Sequence, residues 1–146
     1  IYGMTGGQMA PTSQIGQKTI TSPFGRKAEN EGAPIKMSEI IATLEAPSLV
    51  ARCSVHDIKN IIKSTKLIHK ALKYQVEGKG FSFIEILSSC PVGWRVTPAE
   101  TAHWIEEYLI PYFKLAVFKD KEKDHTPIKR FDPIFDKDKV FFQKAR

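Results

Sequence analysis

Three features of the chain are of kinds that do chemistry: a glycine-rich opening run, a pair of cysteines and a row of lysines. The opening run is Ile1-Tyr2-Gly3-Met4-Thr5-Gly6-Gly7-Gln8-Met9-Ala10-Pro11-Thr12. Glycines this close together let backbone N–H groups converge on an anion, as in loops that cradle phosphate. Flexible loops share that composition, so the glycines alone are weak evidence. Cys53 and Cys90 are too few for a disulfide scaffold or for a complete metal site. The plain reading of each is a small buried thiol. His56 lies at a strand-to-helix junction, where it either serves as a ligand or hydrogen-bonds the helix start. His69, His103 and His125 show no metal spacing. Lys59, Lys63, Lys66, Lys70 and Lys73 recur at helical spacing, which describes either a solvated face or a basic binding surface. Interleaved aromatics, the usual mark of a nucleic-acid site, are missing from that row.

The elements that must position these residues follow from pattern. Residues 1–36 are rich in Gly and Pro and read as linker or functional loop. Ser38 caps a short helix over 39–44, which stops near Pro47. Residues 48–54 (SLVARCS) read as a short buried strand. Ser54 and Asp57 mark a helix start, and the helix runs from about Asp57 to Gln75. Ile58, Ile61, Ile62, Thr65, Ile68, Ala71 and Leu72 make one of its faces apolar. Gly78 and Gly80 end it. Phe81–Leu87 (FSFIEIL) is a second strand, so strand, helix and strand form a βαβ unit with parallel pairing. Thr97 and Glu100 form a capping box with Pro98 at the first helical position, and that helix carries Ala102, Ile105, Tyr108 and Leu109 inward before ending near Pro111. From Lys119 the composition shifts to a charged segment punctuated by Phe131, Phe135, Phe141 and Phe142, read as a tail lying over a surface.

With 146 residues, 42% apolar content and 26% charge, the chain falls in the range of a globular domain, and wholesale disorder is excluded. The net charge of +6 marks no site by itself. No apolar run has the length of a membrane span, and no signal-peptide pattern opens the chain. Because Ile1 lies inside what reads as a structured motif, the chain is expected to be a piece of a longer protein.

The whole opening string is far more specific than its glycines. It is similar to the segment that follows the paired asparagines of the thiamine-diphosphate motif in beta subunits of 2-oxoacid:ferredoxin oxidoreductases. Residues 17–26 (QKTITSPFGR) resemble that family's next loop, and residues 51–57 (ARCSVHD) and 80–91 (GFSFIEILSSCP) resemble its later strands. The resemblance extends to about residue 119. It implies an α/β chain forming the C-terminal part of a doubly wound, mostly parallel, thiamine-diphosphate-binding fold. Residues 1–118 would belong to that domain, with 1–36 as cofactor and substrate loops and 119–146 as a charged C-terminal tail.

The same resemblance implies oxidative decarboxylation of a 2-oxoacid to an acyl-CoA with thiamine diphosphate as electron sink, and electrons passing through a 4Fe–4S cluster to ferredoxin. The 2-oxoglutarate group is the most similar, with pyruvate and branched-chain oxoacids still open. Position by position, Ile1 would offer its backbone carbonyl to Mg²⁺. Gly3, Met4 and Thr5 would face the cofactor, and Met4 and Gly6 would lie in the substrate loop. For Met4 the plain alternative is gap-filling packing. Cys90, directly after FSFIEIL, would be the fourth cluster ligand, whereas Cys53 matches nothing required and reads as core. A Cys53–Cys90 disulfide is disfavoured by cytosolic redox poise. Implied partners are an alpha subunit, further small subunits, ferredoxin, the 2-oxoacid and coenzyme A, in the cytoplasm, with no nucleic acid and no membrane. The competing reading is a basic binding or assembly module without chemistry of its own.

Overall fold

A computed structural model describes residues 3–121. Ile1, and the segment from residue 122 onward, lie outside the described residues. A three-stranded sheet organises the fold, with β1 (Leu49–Ser54) at its centre, β2 (Ser82–Leu87) on one side and β3 (Ala116–Asp120) on the other. Every residue of β1 is buried, and it reads as a run of apolar and small residues interrupted only by Arg52. β1 and β2 pair in parallel from Leu49↔Ser82 to Ser54↔Leu87, as the βαβ pattern predicts. β3 differs from expectation. It pairs antiparallel with β1, with an irregularity opposite Val50 and Ala51, so the sheet is mixed and not mostly parallel. The strand was hidden because it straddles the change from Ala116-Val117-Phe118 to the charged run, crossing the expected 118/119 boundary. As an edge strand it leaves its residues half-buried or exposed, without a clean alternation.

The crossover helix α3 (Ile58–Val76) begins at Asp57, whose carboxylate accepts the Asn60 N–H at 2.7 Å. The cap is therefore Asp57 itself and not Ser54. Its apolar stripe is real but faces outward: Ile58 is 77% exposed, Ile62 52% and Leu72 62%. The buried positions on the helix are Ser64 and Tyr74. Ser64 donates to the Ser54 carbonyl at 2.8 Å, and the Tyr74 hydroxyl donates to Asp120 at 2.6 Å. Small and hydrogen-bonded side chains thus set the helix on the sheet, and the periodic isoleucines are left over. Of the lysine row, Lys70 pairs with Asp120 at 2.6 Å, so that row is not uniformly solvated.

Beneath the sheet, Arg52 is almost fully buried. It donates to Glu85 at 2.9 Å, to both oxygens of Glu39 at 2.9 and 2.5 Å, and to the Lys114 carbonyl at 3.3 Å. The rings of Phe113 and Phe118 lie 5.3 and 5.2 Å from its guanidinium. Glu85 also accepts from the Ser38 hydroxyl at 2.5 Å. One cation thereby ties both neighbouring strands to α2 (Met37–Ala42). Glu85 thus does more than alternate along its strand: it is the shared acceptor of Arg52 and Ser38.

After β2 come the short α4 (Pro91–Trp94) and then α5 (Pro98–Trp104), which opens with the expected capping box between Thr97 and Glu100. A π-helical turn over Ile105–Leu109 leads into α6 (Ile110–Tyr112). The chain stays helical through Pro111 because the widened turn just before it accommodates a residue that cannot donate a backbone bond. Ile105 and Leu109 point inward with Leu87 and Phe113, whereas Tyr108 is half exposed.

The Arg52 cluster makes a testable demand on pH. The hydrogen bond from Arg52 holds the Glu39 carboxyl below its ordinary value of 4.5. A depressed carboxyl contributes stability that is full above the ordinary value and is lost as pH falls through the lowered one. Urea denaturation should show this acid limb shrinking in Arg52→Met, with a loss at neutral pH of about 3 kcal/mol from the carboxylates left unpaired. An unchanged acid limb would contradict the assignment.

Candidate functional site

The opening segment is a folded loop with an internal scaffold. Arg26 is 4% exposed and is one of two charged side chains among the first 26 residues, the other being Lys18. Its Nε donates to Gly32 O at 2.9 Å. One terminal nitrogen reaches the carbonyls of Ala10, Pro11 and Ser13 at 3.2, 2.9 and 2.7 Å. The other reaches those of Glu31 and Ala33 at 3.2 and 3.0 Å. A planar fork of five N–H donors suits such a ring of carbonyls, and an ammonium does not. Further bonds close the loop, from Ile20 N to Gly7 O at 3.0 Å and from Gly16 N to Arg26 O at 2.8 Å. Gly25 sits where a Cβ would stand 2.6 Å from the Gly16 carbonyl, at a φ of +89°, so no other residue fits.

This loop lies against the turn that follows β2. Gln14 donates through Nε2 to the Tyr108 carbonyl at 2.7 Å, and Tyr112 donates to the Pro34 carbonyl at 3.3 Å. At the front edge, the Gly3 N–H points at the Cys90 sulfur at 3.2 Å. Cys90 caps α4, so its Sγ also accepts the Gly93 N–H at 3.4 Å. Those two amides, Gly3 first, hold the Cys90 thiol below its ordinary value. Burial pushes the Cys53 thiol the other way, in keeping with a core role. Both cysteines are free.

Between loop and turn opens a cleft of about 1090 Å³. Gly3, Gly6 and Gly7 line one wall, and Trp94, Trp104 and Tyr108 another. The rings form a tilted series, with centroids 4.7 Å apart for Trp94–Trp104 and 5.5 Å for Trp104–Tyr108. Lys18 and Arg95 bring positive charge to the lining, against the single carboxylate of Glu100. Arg95 holds a left-handed backbone at φ 57°, a conformation uncommon for a residue with a side chain. The indole N–H of Trp94 is buried without a hydrogen-bond partner. Together these groups make a cleft that favours an anion carrying a flat ring.

Of the residues singled out in sequence, Gly3 and Gly6 line the cleft and Cys90 sits at its edge. Met4 and Thr5 occupy the same 3₁₀ turn, Gly3–Thr5, but neither is part of the lining, and Met4 is 85% exposed. His56 takes the structural role, with Nδ1 2.9 Å from the Ser54 hydroxyl and Nε2 3.1 Å from Asp57. Among the described residues no three His, Cys, Asp or Glu side chains gather into a metal site, so Cys90 stands as one donor. Sequence reasoning passed over Arg26, Gln14, Gly93, Trp94 and Trp104 as site residues, and it expected Tyr108 in the core where the structure has it half exposed in the cleft wall, in series with the two tryptophans. Only that series had a local signal, the four-residue spacing of Trp104 and Tyr108 on one helix face.

If Arg26 is the scaffold of the loop, Arg26→Ala should make residues 10–33 cleave faster in limited proteolysis by about tenfold or more. Loss of even one charge-assisted bond, ~1.5 kcal/mol, shifts a local opening equilibrium by that factor. Arg26→Lys should rescue little. Unchanged cleavage would show that the loop is held by other means.

The chain resembles known proteins along nearly its full length. It is 36% identical over 140 residues to the ketoisovalerate oxidoreductase subunit VorA of Methanothermobacter marburgensis, an alignment covering 96% of this chain and 29% of that protein. It is 35% identical over 107 residues to the 2-oxoglutarate synthase subunit KorB of Archaeoglobus fulgidus, covering 73% of this chain and 36% of that one. It is 33% identical over 99 residues to the pyruvate synthase subunit PorB of Pyrococcus horikoshii, covering 68% and 28%. The chain therefore spans about a third of the length of the curated relatives it matches. No family model matches it, and no solved structure does.

Proposed function

We propose that this chain, which belongs to the 2-oxoacid:ferredoxin oxidoreductase family, forms the C-terminal part of the subunit that binds thiamine diphosphate. The observation that carries the reading is the bond from Gly3 N–H to Cys90 Sγ. It joins two features 87 residues apart that the resemblance links to two different cofactors, the glycine loop to the diphosphate and the cysteine to the cluster.

The residues lining the cleft fit the first of those groups, and for the second the described residues supply one thiol. The cleft offers glycine backbone, the cations Lys18 and Arg95 and aromatic walls, a lining suited to an anionic aromatic cofactor. Bound there, thiamine diphosphate would supply an electron sink for decarboxylation of the oxoacid. Gly3 and its neighbours would face the diphosphate, and the Trp94–Trp104–Tyr108 wall would keep water out. Gly6 would border the oxoacid, whereas the roles that the resemblance gives Met4 and Thr5 draw no support from the cleft, whose lining contains neither. Ile1, outside the described residues, would give its carbonyl to Mg²⁺ beside the diphosphate. Cys90, its thiol held low by two amides, would be one of four thiolates on a 4Fe–4S cluster, with the remaining ligands outside this chain. An alpha subunit, ferredoxin and coenzyme A complete the cytoplasmic enzyme. The exposed isoleucine stripe of α3 favours burial against neighbouring parts of that assembly. Among the described residues no helix is long and apolar enough to cross a membrane.

On the choice of oxoacid, the alignment of 96% of this chain with ketoisovalerate oxidoreductase subunits favours a branched aliphatic side chain. Ile15, Ile20 and Val96 in the cleft lining suit one. A second carboxylate, as in 2-oxoglutarate, would instead use Lys18 or Arg95. Steady-state kinetics of the assembled enzyme separates the two, with kcat/KM expected to be higher for 2-ketoisovalerate than for 2-oxoglutarate by at least about tenfold. The reverse order would return the assignment to the 2-oxoglutarate group.

Replacing the cysteine tests the core of the reading. In the assembled enzyme Cys90→Ala should lose the iron–sulfur absorbance of the cluster nearest this subunit. Retained iron and sulfide would mean that another residue is the ligand.

A further inference from the structure

We infer that Gln14 is a positioning residue for the cleft, a strut that holds the two walls at the separation a cofactor needs before the cofactor arrives. The inference rests on the reading of the cleft as the thiamine-diphosphate site. It goes beyond that reading by naming the side chain that presets the width of the cleft.

The walls come from opposite ends of the described chain, and few direct bonds join the two segments. Gly3 reaches Cys90, Tyr112 reaches Pro34, and the Lys36 ammonium lies 4.5 Å from the centre of the Tyr112 ring. In each of these at least one partner stands outside the lining. The bond from Gln14 Nε2 to the Tyr108 carbonyl, 2.7 Å long, differs because both partners line the cleft, one on each wall. Its loop end is fixed. Gln14 N–H donates to the Gln17 side-chain oxygen at 3.0 Å, and Gln17 N–H donates back to the Gln14 carbonyl at 3.1 Å. The Gln17 carbonyl accepts in turn from Arg26 N–H at 3.2 Å, which couples Gln14 to the arginine scaffold.

The far end of the strut is a main-chain atom of the π-helical turn Ile105–Leu109. Such turns are rare and occur mostly at functional sites. Tyr108 also carries the last ring of the aromatic series, 5.5 Å from Trp104. Gln14 therefore holds the backbone of the residue that ends the aromatic wall. A ligand that enters between walls free to drift must first select the competent separation, and its apparent affinity falls by the fraction of time that separation is populated. A bound ligand bridges the walls itself. The strut thus matters while the cleft is empty, whereas a bond that only stabilised the fold would matter equally in both states.

The test uses the assembled enzyme freed of cofactor and titrated calorimetrically with thiamine diphosphate and Mg²⁺. Gln14→Met keeps the length of the side chain and removes its N–H donors. Its Kd for the cofactor should rise about fivefold, the factor that one neutral hydrogen bond supports. An unchanged Kd overturns the inference. Amide hydrogen exchange of residues 12–20 should be faster than wild type in the empty variant and equal to wild type in the loaded one. Faster exchange in both states would make Gln14 a fold-stabilising residue only and overturn its role as a strut. Should Gln14→Met fail to assemble, the wild-type enzyme decides the matter. Exchange of residues 12–20 should then be nearly the same with and without cofactor, and slowing by about fivefold or more on binding overturns the inference. If the double variant Lys18→Ala, Arg95→Ala binds the cofactor as tightly as wild type, the assignment of this cleft to the cofactor falls, and the inference with it. Binding weakened there and unchanged in Gln14→Met overturns the role of Gln14 alone.

Discussion

The guanidinium of Arg26, buried in a ring of six backbone carbonyls, is the interaction on which the site depends. A segment of some thirty residues with so many glycines and prolines has little apolar surface to bury, and its backbone carbonyls would otherwise need water. Arg26 satisfies those carbonyls from one point and so converts a stretch with linker composition into a shaped wall. Among the described residues it has no carboxylate partner, and carbonyl dipoles balance its positive charge. Everything at the front of the loop follows from that fixed wall. Gln14 and Pro34 dock on the last helix, Gly3 arrives at Cys90, and the cleft opens between them.

A second buried arginine serves the sheet as Arg26 serves the loop. Arg52 is matched by Glu39 and Glu85 and framed by Phe113 and Phe118. It fixes the base on which β2 delivers Cys90 at its C-terminal end, the edge where α/β sheets present ligand sites. The two arginines show contrasting solutions to one cost. Arg52 is paired with full charges across elements distant in sequence, whereas Arg26 relies on local backbone.

Legibility in the sequence followed the range of the interactions. The capping box at Thr97 and Glu100, the strand over residues 49–54 and the long helix were readable because each is written in a few neighbouring residues. Which face of α3 meets the sheet was not. Periodicity marks an apolar stripe but does not say what covers it, and the sheet takes the face with Ser64 and Tyr74. β3 escaped because its composition belongs half to an apolar run and half to a charged one. The partners of Arg26 and Arg52 are carbonyls and carboxylates brought close only by the fold, so neither arginine carries a local mark. For the site itself, Gly3, Gly6 and Cys90 were found through the resemblance of their surrounding strings. The bond that unites Gly3 with Cys90 needed the coordinates.

The central claim is that the glycine loop and the cysteine turn form one site with a metal centre at their junction. The most direct measurement is iron-edge anomalous diffraction from crystals of the assembled enzyme. The account predicts iron bonded to Cys90 Sγ with the Gly3 amide still pointing at that sulfur. Iron located only at other cysteines, with Cys90 Sγ unligated beside an intact Gly3 contact, would contradict it.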